Sequence, residues 1–389
     1  MRYLILTPDF PPREGGVQRL LAVVAAGLAA RHDVTVVAPD APGAREWDAA
    51  APYAVRRYRY ARSRAGRVGR MTWAAARTAP RHDVLFCGHI AAAPSAWLLG
   101  RLFRKPYVVY VHALEITPRR YRRLFSFLLE RARGIIVGSR YARDLVVSYF
   151  SIPAGAVDLV PPGVDPALVE AARAAPPSHV HKEVGGRVLL SVGRLSSDER
   201  YKGHDVVIRA LPLIRRCVPK CCYWIVGSGD DAKRLAELAA EMGVSAYVKF
   251  WGRVEDVAPF YRECDVFVMV NRQVFEGGAE KTEGFGLVFL EASLFAKPVV
   301  AGRCGGALDA VADGETGLLV NPHEPAEVAA AVVALLTCPQ EAKRLGTAGR
   351  DRVLREFTPH VQVARLEGAV AARIKEERGE RWNRKISYS

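Results

Sequence analysis

The sequence predicts an α/β fold made of two doubly wound, parallel-sheet domains facing each other across a cleft. Three observations predict it. At 389 residues the chain is too long for one ordinary hydrophobic core. Short β-branched or apolar runs alternate with longer stretches of helical periodicity, the strand-helix-strand order that yields a parallel sheet. That series occurs twice, broken at 151–186 by SIPAGAVDLVPPGVDPALVEAARAAPPSHVHKEVGG, which is rich in Pro, Ala and Gly.

The first series runs YLILT (3–7), the helical VQRLLAVVAAGLAARH (17–32), DVTVVAP (33–39), DVLFCG (83–88), YVVYVHA (107–113) and GIIVGS (134–139). The second runs RVLLSVGRL (187–195), CCYWIVGSG (221–229), YVKFWGRV (247–254), CDVFVMV (264–270), KPVVAG (297–302) and TGLLVNP (316–322). HVQVARLEGAVAARIKEERGERW (360–382) reads as a long amphipathic helix followed by a frayed tail. The domains are therefore drawn as 1–175, with the C-terminal helix from about 365 to 389 packing back on it, and 183–364. Ligands are expected at the carboxyl ends of the strands.

No window reaches the roughly 18 unbroken apolar residues of a membrane-spanning helix. The opening MRYLILTPDFPP has one positive charge and a short apolar run ending in prolines, so it reads as a buried strand and not a signal peptide. The seven cysteines, Cys87, Cys217, Cys221, Cys222, Cys264, Cys304 and Cys338, are odd in number and show no CxxC spacing. The expectation is a reduced, cytoplasmic protein without structural zinc. The net charge of +15 is uneven, since residues 1–173 hold 26 Lys and Arg against 13 Asp and Glu. Such a field attracts a membrane surface, nucleic acid or a phosphorylated substrate, or else serves solubility alone.

The stretch KTEGFGLVFLEASLFAKPVV (281–300) carries the chemistry. Phe285 to Ala296 has helical apolar spacing, ended by Lys297-Pro298. Glu283 and Gly284 then lie at a helix entry, where free amides and the dipole favour an anion, and Gly284 and Gly286 let a phosphate approach. Read as one helix, the eight residues from Glu283 to Glu291 separate the carboxylates by about 12 Å at about 1.5 Å rise per residue. That exceeds the roughly 5 to 9.5 Å of paired glycosidase carboxylates. It suits two hydroxyl-bearing groups on either side of a diphosphate, the layout of a nucleotide sugar. Alone, two glutamates at this spacing describe an ordinary surface helix. Their company changes the weighting. VGRLSSDERYKGHD (192–205) leaves a strand with Arg194 and Lys202, two cations suited to a diphosphate, and REGGVQRL (13–20) places a Gly15-Gly16 turn at the start of a helix.

With these motifs in view, the chain resembles the retaining glycosyltransferases of family four, closest to GDP-mannose-dependent α-mannosyltransferases acting on lipid-linked acceptors. The likeness rests on GGVQR, the Arg194/Lys202 pair, KTEGFGLVFLEA, KPVVAGRCGGALDAV and DGETGLLV, and is weaker between about 40 and 105. It implies the GT-B fold of two Rossmann-like domains. By the same resemblance Glu291 binds the ribose hydroxyls, and Glu283 with the backbone of Phe285, Gly286 and Leu287 holds the donor sugar. Arg194 and Lys202 grip the diphosphate, Gly15 and Gly16 close on it, and Arg253-Val254 present backbone to the base. His112, in YVVYVHALE, matches a position beside the transferred sugar. A histidine ending a buried strand is often a satisfied core residue, but this strand end points to the expected cleft.

Neither a metal nor a bound cofactor is implied, only a nucleotide-sugar co-substrate, GDP-mannose in preference to a UDP-sugar. Asp230-Asp231 reads as a helix cap, GSG (227–229) as a strand-to-helix turn, and nothing marks Cys304 as a nucleophile. In the architecture that the resemblance implies, the first domain takes the acceptor. Two basic clusters stand there, RRYRYARSRAGRVGR (56–70) and PRRYRRLFSFLLERAR (118–133), the second continuing as an amphipathic helix. They point to a lipid-linked or glycan acceptor reached by peripheral contact with the inner face of the cell membrane, against a merely solvated face. No nucleic-acid module accompanies them. The alternatives are a UDP-sugar-dependent transferase with a soluble acceptor, an epimerase or phosphorylase of the same fold, and a non-catalytic nucleotide-sugar binder.

Overall fold

The computed structural model describes residues 1–13, 15–174, 180, 183, 185–277 and 279–386, with side chains at all of these except 119 and 376–386. Glu14, of the motif REGGVQRL, lies outside the described residues. The chain forms two compact units, Met1–Asp165 with Pro359–Ser389, and Pro166–Thr358.

The first unit holds β1 (Arg2–Leu6), β2 (Asp33–Pro39), β3 (Ala54–Tyr58), β4 (Val84–Cys87), β5 (Tyr107–Val111), β6 (Gly134–Val137) and β7 (Val157–Leu159) in the order β3-β2-β1-β4-β5-β6-β7. All neighbours are parallel. Successive side chains of a strand face opposite ways, so β1 serves two cores. Leu4 and Leu6 enter one with Leu99, Leu128 and Val146, while Tyr3 and Ile5 enter the other with Leu21, Val24, Val363 and Leu366. The helices Gly16–Ala29 and Pro359–Ile386 cover that second face. Arg373 of the last helix pairs with Asp158 at 2.9 Å and donates to the Gly155 carbonyl at 2.7 Å.

The second unit holds β8 (Arg187–Val192), β9 (Cys221–Val226), β10 (Val248–Gly252), β11 (Val266–Met269), β12 (Val274–Glu276), β13 (Ala279–Lys281), β14 (Val299–Gly302) and β15 (Leu318–Val320). Its parallel sheet has the order β10-β9-β8-β11-β14-β15, and β12 and β13 form a separate antiparallel hairpin. Strand order reverses between β1 and β4 in one unit and between β8 and β11 in the other, the points where doubly wound sheets bind ligands. Both units are thus doubly wound parallel sheets.

Several elements differ from the sequence expectation. The cluster at 56–70 begins as edge strand β3, whose Arg57 is committed to Asp48 (2.7 Å) and to the carbonyls of Pro39 (3.0 Å) and Pro11 (2.7 Å). The cluster at 118–133 forms a shorter helix, Arg122–Leu129, after a turn at Arg119–Tyr121. Phe125, Leu128 and Leu129 of that helix are buried in the unit's own core, which takes most of its apolar face. Pro166–Ala174, drawn with the first domain from sequence, is a helix whose partners are the helices Ala258–Glu263 and Leu287–Leu294 of the second unit.

Candidate functional site

In the second unit, the segment leaving β8 is built as a rigid shelf. Leu195 exchanges backbone hydrogen bonds with the β9 exit, donating to the Ser228 carbonyl and accepting from the Asp231 amide, both at 2.9 Å. Asp230 accepts from the Ser197 amide at 3.0 Å, and Asp231 from Arg200 Nε at 2.9 Å and from Arg234 Nε at 2.7 Å. Asp231 occupies the cap position of the helix Ala232–Glu241 but makes no capping bond; burial acts to raise its pKa, and the guanidiniums of Arg234 and Arg200 that hold its carboxylate together outweigh this and lower it. The shelf ends at Gly203, whose φ of +74° and 1.9 Å separation between an added Cβ and the Val270 carbonyl oxygen admit only glycine.

Lys202 is set at the end of this shelf with its side chain 12% exposed, and Arg194 at its start is 70% exposed. Both are bound by one carboxylate, that of Glu199: Arg194 Nη2 donates to Oε1, and Lys202 Nζ to Oε2 at 2.7 Å. Behind them His204 is buried and bonded through Nδ1 to the Tyr223 hydroxyl at 3.2 Å. Burial pushes its imidazole down to about 3, so it adds no charge beside Lys202.

The helix after KTEGFG runs Leu287–Leu294, shorter than the expected 285–296. Gly286 is its N-cap with φ +89°, and a Cβ there would meet the Phe289 ring at 2.4 Å. The glycine is required by this turn. Glu283 therefore precedes the helix, and a helical rise does not measure its separation from Glu291. The Phe285 and Gly284 amides beside its carboxyl favour the charged form, at the approach to the helix. Burial raises the Glu283 pKa above the usual carboxylate range, opposed by Lys202 and reinforced by Glu199. These effects place Arg194, Glu199, Lys202 and Glu283 in one electrostatic cluster. The Glu283 carbonyl accepts from the Gly306 amide at 2.8 Å, which fixes the turn after β14 beneath it. Cys304 in that turn lies 3.2 Å from the Asn271 carbonyl, and burial raises its thiol pKa, which leaves it protonated.

Glu291 sits inside the helix, with Oε2 accepting from the Tyr261 hydroxyl at 2.7 Å. Phe285 is buried against Phe357, and Leu287 opens the helix. Arg253 and Val254 follow β10, two strands from β8 in the sheet, Arg253 being exposed.

In the first unit, Gly15 and Gly16 follow β1 at the switch point. Gly15 caps the helix Gly16–Ala29, and the space where a Gly16 side chain would stand is open. His112 follows β5. Its Nε2 donates to the Gly88 carbonyl at 2.8 Å, which fixes the tautomer, and its amide donates to Glu115 Oε1 at 2.6 Å. The next residue, Ala113, has φ +90° and ψ −68°, a strained conformation for a residue with a Cβ. Gly15, Gly16 and His112 thus share one end of their own sheet, and the remaining residues gather in the second unit. Glu199 and Tyr261 went unrecognised in the sequence. The signal for Glu199 was an acid set between two cations in RLSSDERYK; Tyr261 had none beyond an aromatic in an apolar run.

Two doubly wound, Rossmann-like parallel sheets are the architecture of the GT-B class of glycosyltransferases. Residues 14–168 match the model described as Glycosyltransferase Family 4, and residues 186–338 that described as Glycosyl transferases group 1. The GDP-mannose-dependent alpha-(1-6)-phosphatidylinositol monomannoside mannosyltransferase of Mycolicibacterium smegmatis is 34% identical over 95% of this chain and 98% of its own. Its Mycobacterium tuberculosis namesake is 33% identical over 94% and 97%. Among solved structures, Anabaena HepE in complex with UDP and glucose superposes with a TM-score of 0.77 over 96% of this chain and 100% of that one, at 20% identity. Sucrose-phosphate synthase from Thermosynechococcus elongatus does so at 0.72 over the whole of both, also at 20%. The chain belongs to glycosyltransferase family 4, and it is a glycosyltransferase.

Proposed function

We propose that this chain transfers mannose from GDP-mannose, with retention, to a phosphatidylinositol-type lipid acceptor at the inner face of the cell membrane. The observation that carries the donor and acceptor is the 34% identity, over nearly the full length of both chains, to a mannosyltransferase whose name gives both. In this reading Glu291, steadied by Tyr261, binds the ribose, Arg253 and Val254 flank the base, and Gly15 and Gly16 supply amides to the phosphates. Arg194 and Lys202 hold the diphosphate. Glu283 and the backbone of Phe285, Gly286 and Leu287 hold the mannose, with His112 beside it. As the bond from the anomeric carbon to the phosphate oxygen breaks, negative charge grows on that oxygen and the two cations stabilise it. The same oxygen then takes the proton of the acceptor hydroxyl, which bonds to the anomeric carbon on the face the phosphate left. The protein contributes positioning and electrostatics, with no carboxylate nucleophile.

Among the described residues no helix is long and apolar enough to cross a membrane. Three neighbouring helices of the first unit nevertheless expose large apolar side chains: Trp73 (69%), Leu98 and Leu102 (66%), Leu124 and Phe127. Arginines accompany them, Arg77 over Trp73 and Arg131 over Phe127. Apolar tips among cations fit the interfacial zone of an anionic bilayer. The test is a thermal-shift panel of GDP, UDP, ADP and dTDP with their sugar conjugates, followed by transfer from labelled GDP-mannose to phosphatidylinositol mannoside in vesicles. Stabilisation by UDP alone would replace the donor. Failure to sediment with phosphatidylinositol vesicles at physiological salt would remove the membrane.

A further inference from the structure

The two cations assigned to the diphosphate already have a ligand. Glu199 meets Arg194 with one carboxylate oxygen and Lys202 with the other, and its side chain is only 13% exposed. Its backbone departs from the surrounding 3-10 segment, at φ −119° and ψ 25°, so it stands at the kink between the two cations in sequence. The shelf carrying it is pinned on both sides, by Asp230 on Ser197 and by Asp231 on Arg200. A carboxylate held this way is present at a high effective concentration and cannot diffuse away when an anionic ligand arrives.

We infer that Glu199 is the resident counter-ion of the diphosphate clamp: it holds Arg194 and Lys202 in place before the donor binds, yields them to the phosphates, and by its remaining charge weakens the hold on the departing nucleoside diphosphate. The inference rests on the assignment of Arg194 and Lys202 to the diphosphate. Two cations without a partner would repel each other and move on long side chains, whereas bridged by one carboxylate they are set before binding. When a diphosphate takes them, Glu199 stays tethered nearby, and like charges at short range oppose binding. An anion that offers only phosphates must compete with the carboxylate on equal terms. A nucleoside diphosphate, anchored also through base and ribose, can displace it. Glu199 thus makes the clamp selective and the product easier to release.

The test measures GDP and inorganic pyrophosphate binding by calorimetry on the full chain for wild type, Glu199→Gln and Glu199→Asp, with initial rates on the same preparations. Glu199→Gln is expected to bind GDP about tenfold tighter, the effect of removing one nearby like charge, to gain measurable pyrophosphate binding, and to lower kcat and KM together as product release slows. Glu199→Asp keeps the charge but is too short to bridge both cations, so its GDP affinity should fall between the two; it also serves if the Gln variant does not fold. Wild type that binds GDP, with variants that bind it no more tightly, overturns the inference and leaves the clamp standing. Wild type that binds no nucleoside diphosphate overturns the clamp and this inference with it.

Discussion

The Tyr261 hydroxyl, on a fully buried ring, donates a 2.7 Å hydrogen bond to Oε2 of Glu291. The ring also stacks on Phe295 at 5.7 Å, so the donor is fixed from behind as well as in front. Tyr261→Phe keeps this packing and removes one bond to the carboxylate. GDP affinity should fall about fivefold, the effect of roughly 1 kcal/mol, with kcat for bound donor little changed. Glu291→Ala should weaken GDP binding further. Calorimetry on both variants checks this, and unchanged affinity in either would take the ribose role from Glu291.

Lys202 and Arg194 differ in burial, and their losses should differ too. The mostly buried Lys202 acts where water screens little, so Lys202→Ala should cost roughly 100-fold to 1,000-fold in kcat. The exposed Arg194 is worth less, about tenfold on the same scale. Both variants should keep the wild-type melting temperature within a few degrees. Full turnover in either would sink the assignment of the diphosphate.

Glu283 makes stability and activity pull apart. Burial raises its folded pKa above the unfolded value, so below the unfolded value it is protonated in both states and costs nothing. As pH rises, the unfolded chain ionises first, and folding loses stability until the folded pKa is passed. Glu283→Gln removes this loss. Its melting temperature should exceed the wild type at pH 7, match it near pH 4, and accompany a large drop in transfer activity. A wild type that is the more stable at pH 7 would show that the charged carboxylate is stabilised in the fold.

Leu366 on the last helix is fully buried against the first unit's sheet. Leu366→Ala should cost about 2 to 5 kcal/mol through lost burial and the cavity left behind. A urea titration followed by intrinsic fluorescence measures it. A loss under 1 kcal/mol would mean that the helix contributes little to this core.

The main strands were legible because a sheet covered on both faces needs continuous apolar runs, and DVTVVAP, for example, coincides with β2. β3 was not: on the sheet edge its AVRRY alternates burial, and its arginines suggested only a charged patch. The three-residue strands β12 and β13 are too short to leave a pattern. In the second unit, the cations and glutamates of the site could be picked out by their spacing relative to strand ends and helix starts. What spacing hides is conformation and partnership. The positive φ of Gly286 moves the helix start by two residues, and an acid in the polar loop SSDERYK looks solvated until its oxygens are found on Arg194 and Lys202.

The first unit is not continuous in the chain: Val363, Leu366 and Val370, which close one face of its sheet, follow the whole of the second unit. Synthesis proceeds from the N-terminus, so a ribosome that has made Thr358 has completed the second unit while Ile5, Val24 and Leu28 still lack their cover. During that interval the exposed apolar face is open to chaperones and to other nascent chains. A premature stop near the end of the message would therefore injure the part of the protein that was made first.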